Sequence, residues 1–208
     1  MKNYFIFFLL LLSVRHISSQ NWDTIGNFDN WGISTLYYDS ISNELYIGGS
    51  FCFVNTDTIV GLAKWNGNTI STLGCGIEWD CYTTGISGYT SPVNGILGYN
   101  NQIYVTGGFE NAGNENVNGI TRWNVTDWEQ FGSGLKMHDG SQGIGMNFKI
   151  INSELYIYGV FDSIAGISAY GLAKFNGTNW SSVHNFPLIP TDIGAANRVN
   201  DIAFYNNE

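Results

Sequence analysis

Few residues in this chain have both the type and the spacing for chemistry. There are three cysteines, Cys52, Cys75 and Cys81, and no pair has the C-x-x-C spacing of a redox or zinc motif. In an oxidising compartment such a set favours one disulfide. Cys75–Cys81 would close a short loop, whereas Cys52–Cys81 or Cys52–Cys75 would tie two loops together. We favour Cys52–Cys81, because Cys75 takes a position that a later, similar stretch fills with Ser133. Three histidines occur, His16, His138 and His184, and the first lies in an N-terminal apolar leader. The other two are too few and too scattered for a His-based metal site or a Ser/His/Asp triad, and we read them as loop residues. Asp139-Gly140 reads as a turn and lacks the spaced acids of a calcium loop. We therefore expect no catalytic group, no metal and no cofactor in this segment.

Two other sets could bind. A basic residue recurs as Lys64, Arg122 and Lys174, and Glu44, Gln102 and Glu154 recur about twenty residues before it. If these sit on adjacent antiparallel strands, Lys64–Glu44 and Lys174–Glu154 become cross-strand pairs, each contributing about 0.2–1 kcal/mol. Gln102 leaves Arg122 without that acid. The other reading, a ring of cations for an anionic ligand, is weaker, because repeated positions usually serve the repeat. The second set is Trp79, Tyr82 and Tyr89, in the long Gly76–Pro92 connection. Exposed aromatics there could stack on a glycan or anchor a protein partner, although aromatics more often pack.

The elements that position these residues are read from repeats. LYIGGSF (45–51), IYVTGGF (103–109) and LYIYGVF (155–161) are offset by 58 and 52 residues. GLAKWNGNTISTLGCGI (61–77), GITRWNVTDWEQFGSGL (119–135) and GLAKFNGTNWSSVHNF (171–186) keep the same two offsets, 58 and 52. ISTLYYDSISN, VNGILGYNN and MNFKIINS precede them, and VNDIAFYNN (199–207) starts a fourth copy. Each copy supplies four short strands, A to D. In the second copy these are about Gly95–Tyr99, Gln102–Gly107, Gly119–Trp123 and Trp128–Phe131.

Turn chemistry marks the joints. Asn100-Asn101 and Asn152-Ser153 fit tight A–B turns, because Asn tolerates positive φ. Asn66-Gly67 and Asn176-Gly177 are strong C–D hairpin signals, and Val125 in place of Gly predicts a slightly different turn in the second copy. The pairs Gly48-Gly49 and Gly107-Gly108 end strand B, where a bulge or a close backbone approach is expected. Tyr46, Tyr104 and Tyr156 recur at one position, which marks packing.

A period near 54 residues with four strands per copy predicts an all-β fold: four-stranded antiparallel blades of a β-propeller, in an incomplete ring. The motif LYIGG-F…GLAKWNG…LG-GI resembles kelch-like and galactose-oxidase-like propeller repeats, in particular those of large secreted Bacteroidetes-type proteins. Many such proteins end in a type IX secretion sorting domain, which is not present in these 208 residues. The resemblance spans about residues 21–208 and implies architecture, not activity. No copper-site arrangement of the oxidase can be placed on these residues.

The predicted organisation is a signal peptide at 1–19, an N-terminal strand at 21–28, blades at 33–74, 93–132 and 145–184, and the start of another at 199–208. Lys2, the apolar run Tyr4–Val14 and the small residues before Gln20 form the signal, and the run is too short to span a bilayer. NWDTIGNF (21–28) matches the D strands, as expected where a first strand completes a last blade. Three copies cannot close a ring of about 4–8 blades, so we expect the natural chain to continue.

Cleavage leaves 6 Lys+Arg against 17 Asp+Glu, a net charge of −11. That charge opposes nucleic acid and anionic lipid. The reading is a secreted or cell-surface binding or structural scaffold for an unknown protein or glycan, without membrane insertion after cleavage. The alternative is the front part of a larger secreted hydrolase, lyase or oxidase whose active site lies beyond residue 208.

Overall fold

Short β-branched and aromatic runs, closed by Asn and Gly turns, satisfy their backbone groups across antiparallel ladders. A computed structural model of the chain describes residues 24–29, 32–78, 92–183, 198–203 and 205. No helix occurs among them. The first repeat contains β1 (Ile33–Asp39), β2 (Glu44–Gly49), β3 (Phe53–Val54), β4 (Asp57–Thr58), β5 (Leu62–Trp65), β6 (Ile70–Thr72) and β7 (Ile77–Glu78). The second contains β8 (Gly95–Tyr99), β9 (Gln102–Thr106), β10 (Asn111–Ala112), β11 (Glu115–Asn116), β12 (Ile120–Trp123), β13 (Trp128–Gln130) and β14 (Leu135–Lys136). The third contains β15 (Ile144–Ile151), β16 (Glu154–Val160), β17 (Ser163–Ile164), β18 (Ile167–Ser168), β19 (Leu172–Phe175) and β20 (Trp180–Ser182).

Each repeat forms one four-stranded antiparallel sheet in chain order: β1-β2-β5-β6, β8-β9-β12-β13 and β15-β16-β19-β20. Their registers agree. Tyr46 faces Lys64, Tyr104 faces Arg122 and Tyr156 faces Lys174. The apolar B strands are explained by burial on both faces: β9 is buried from Ile103 to Thr106. Consecutive sheets stack through two clusters, one around Tyr46, Ile103 and Trp128 and the other around Tyr104, Phe148 and Phe175. The first strands lie side by side, with β8 between β1 and β15.

The turns follow the residues named above, with one correction. Asn100 and Asn101 take φ of 51° and 59°, and Asn152 and Ser153 take 50° and 65°. The C–D hairpins have four-residue loops, closed by the Asn side chain. Asn66 Oδ1 accepts from the N–H groups of Asn68 and Thr69, and Asn176 Oδ1 from those of Thr178 and Asn179. Asn124 makes the same bonds to Thr126 and Asp127. The second turn therefore does not differ. Val125 is held at φ 88°, beside 94° and 98° for Gly67 and Gly177. A β-branched residue is strained there, so the side-chain cap overrides the preference of Val.

At the first Gly-Gly pair the expected bulge falls on the opposing strand, between Ile33 and Thr35 of β1, facing Gly49 and Gly48; the β8–β9 ladder is regular. Close approach is found as well: a Cβ on Gly107 would stand 2.0 Å from the Pro92 carbonyl oxygen.

A further layer was not expected from the repeats. The B–C connection of each repeat is a small hairpin, β3-β4, β10-β11 or β17-β18. The strand that follows D in the preceding repeat pairs with it: β7 with β10 and β14 with β17, while Phe28 bridges to Val54. One hydrogen bond recurs at all three places, from Asn55, Gly113 and Ala165 N–H to the carbonyls of Asn27, Gly76 and Gly134, at 2.8, 3.0 and 2.9 Å. The first sheet is thus clasped into the second and the second into the third.

Among the described residues of the fourth copy no strand forms. Arg198 bridges to Val160, Val199 N–H donates to the Gly159 carbonyl at 2.9 Å, and Lys149 Nζ lies 3.4 Å from Asp201. These contacts seat the segment on the third sheet. The described sheets are separate and open, and none closes on itself.

Candidate functional site

Strand alternation sends Tyr37 and Asp39 of β1, Glu44 and Tyr46 of β2, and Lys64 of β5 to one face of the first sheet. Lys64 Nζ meets Glu44 Oε1 at 2.7 Å, and the Tyr46 hydroxyl donates to Glu44 Oε2 at 3.0 Å. Burial pushes the Tyr46 phenol well above its usual range, and the Glu44 carboxylate beside it adds to the rise. Asp39 accepts from the Ile41 N–H at 3.0 Å and the Ser42 hydroxyl at 2.8 Å. Partial burial works against the charged carboxylate, but these bonds outweigh it and hold Asp39 below its ordinary value.

This face looks across at the second sheet, and the two do not close completely. A cavity of about 430 Å³ remains at the A–B turn end, lined by Leu73 and Tyr46 on one side and Ile103, Trp123 and Gln102 on the other. Gly98 leaves room for the Tyr37 ring; a Cβ there would fall 2.1 Å from the phenol oxygen. Anionic carboxylates, amides and aromatic walls converge on this space, the usual make-up of a small-molecule pocket.

The expected Lys64–Glu44 and Lys174–Glu154 pairs are both present, at 2.7 and 2.9 Å. Arg122, which lacks an acid at Gln102, turns to the other neighbouring strand. Its Nε meets Glu129 at 2.5 Å, and its guanidinium stands 5.2 Å from the centre of the Phe131 ring. The recurring tyrosines pack as expected in the first two sheets, with Tyr46 and Tyr104 buried.

Cys52 is buried and disulfide-bonded, and Cys75 carries a free, exposed thiol. Cys81 lies outside the described residues, as do the leader, His184 and the loop aromatics Trp79, Tyr82 and Tyr89. His138 is exposed in a turn, its N–H donating to Asp162 at 2.6 Å, and Asp139 closes that turn by accepting from Ser141. Of the described residues that flank that connection, the start of β8 lies at the end of its sheet opposite the cavity, Gly95 facing Thr106.

The cavity residues were not singled out from the sequence as a binding group. The available signal was divergence within the repeat: Leu73 stands where the next copy has Phe131, and Gly98 where the third has Ile150. Compared with protein-family models and with curated proteins, the chain has no match.

Proposed function

We propose that this chain is an arc of propeller blades of the kelch-like, galactose-oxidase-like kind. It is exported by its N-terminal signal and serves outside the cell or at its surface as a binding or structural scaffold. The observation that carries the reading is the repeated stacking in one register, in which the tyrosine-and-base face of one sheet packs on the apolar face of the next. The adjacent first strands support the same reading, since inner strands of successive blades must neighbour one another. So does the outer face of the first sheet. Leu36 is 59% exposed there, whereas its counterparts Ile96 and Phe148, each covered by a preceding sheet, are 3% and 4% exposed.

The test combines shape and binding on the purified secreted protein. X-ray scattering should fit a curved arc or ring of blades. A thermal-shift screen against glycans and peptides should find a ligand that raises Tm, as any binder of the native state must. A two-sheet sandwich profile would overturn the architecture, and turnover of a screened compound would overturn the scaffold role.

A further inference from the structure

We infer that the cavity between the first two sheets is a binding site for a neutral saccharide unit, an inference that rests on the scaffold reading and names its ligand class. A hexose is amphiphilic. Its C–H face is apolar and flat enough to lie on an aromatic ring, and its hydroxyls both donate and accept at the rim. The cavity offers both halves of that match. Trp123, Tyr37, Ile103 and Leu73 form apolar walls, and Trp123 remains partly exposed. At the rim, Asp39 and Glu44 accept, while the Gln102 amide both donates and accepts.

The rim acceptors are already aligned. Asp39 is locked by its own turn through Ile41 and Ser42, and Glu44 by Lys64 and Tyr46. A hydroxyl donating to a held carboxylate makes a charge-assisted hydrogen bond without the cost of ordering the acceptor. The volume of about 430 Å³ lies within the range of small-ligand pockets.

Charge selects against anions. Asp39 and Glu44 against Lys64 leave the site one negative charge, which repels sugar acids and phosphates. A neutral polyol meets no such repulsion and can donate to the carboxylate lone pairs that Lys64 and Tyr46 on Glu44, and Ile41 and Ser42 on Asp39, do not use.

The experiment titrates the secreted protein with glucose, galactose, mannose, N-acetylglucosamine, cellobiose and maltose, followed by tryptophan fluorescence and calorimetry. Glucuronate, glucosamine and choline serve as charged comparisons. A single sugar ring has about 12 heavy atoms, which at the per-atom efficiency of drug-sized ligands corresponds to millimolar affinity. The expected result is saturable binding of at least one neutral saccharide. Leu73→Phe, which fills the cavity as Phe131 fills the next contact, should weaken it at least tenfold. Gln102→Ala, at a half-exposed rim position, should weaken it several-fold without disturbing the fold, and Phe131→Leu should leave it unchanged.

No saturable binding of any neutral saccharide overturns the inference. Binding indifferent to both Leu73→Phe and Gln102→Ala also overturns it, as does preferential binding of a charged comparison. If a peptide raises Tm in the earlier screen while every saccharide fails, the ligand class falls and the scaffold reading stands.

Discussion

The first and second sheets meet over Tyr46, Leu73 and Trp123, and the second and third meet over Tyr104, Phe131 and Phe175 at the equivalent positions. The backbone registers are the same, yet the contacts differ. Between the second and third sheets Tyr104 stacks on Phe131 with centroids 5.9 Å apart, and Phe131 meets Phe175 and Trp180 edge-on at 5.6 Å each. Arg122 caps that cluster and Glu129 anchors Arg122. Between the first and second sheets Leu73 is shorter than Phe131, Ser71 replaces Glu129, and a cavity remains. A repeat can thus keep its scaffold constant and open a site by trimming two or three side chains at one junction.

The sharpest way to break the comparison is to truncate the same tyrosine on each side. Tyr104→Ala, at the centre of the filled contact, should cost about 3–5 kcal/mol. Tyr46→Ala borders existing space and loses fewer neighbours, so it should cost about half as much. Denaturant midpoints of the two variants check this, and equal losses would mean the two contacts are equally packed. Exchanging the filler comes next. Phe131→Leu should cost about 1.5 kcal/mol, whereas Leu73→Phe should stay within about 1 kcal/mol of the parent because room awaits the ring.

Val125, at the edge of the open contact, should respond in the other direction. Val125→Gly relieves the positive φ and should stabilise by about 1 kcal/mol, visible as a higher midpoint. The smallest effect is electrostatic. Partial burial opposes the charge on Glu129, but the Asn124 amide and the Arg122 guanidinium outweigh it and hold the carboxyl below its usual value. A lowered folded-state pKa contributes stability that is fully present above the unfolded value, near pH 4.3, and is lost as pH falls through the folded value. For a pair still partly open to solvent, the contribution is about 0.5 kcal/mol. Glu129→Gln should therefore flatten the acid limb of the stability profile below about pH 4.3. The open contact has Ser71 at that position, and its acid-sensitive carboxylate is Asp39, held instead by its own turn.

The sheets, their strand order, the A–B turns and the two Lys–Glu pairs were legible in the sequence because each is marked by the same residues recurring at the same register. The cavity was not. It arises where Leu73 stands in place of the next copy's Phe131, and a pattern of sameness passes over such positions. The hairpins β3-β4, β10-β11 and β17-β18 escaped for a different reason. Their strands are two residues long, too short for any alternation to show, and Asn111-Ala112 shares nothing obvious with Ser163-Ile164. The Val125 turn keeps the form of its counterparts because the capping Asn, not the glycine, sets the geometry.

The clasp between successive sheets puts the unit of sequence and the unit of folding out of phase. A boundary drawn where the repeat motif ends would strip β10-β11 or β17-β18 of its third strand and leave a frayed stub on the piece removed. Because both described junctions borrow a strand from the preceding repeat, pulling on the chain loads two neighbours together. Swapping, deleting or grafting one copy therefore requires cuts shifted to the far side of that borrowed strand.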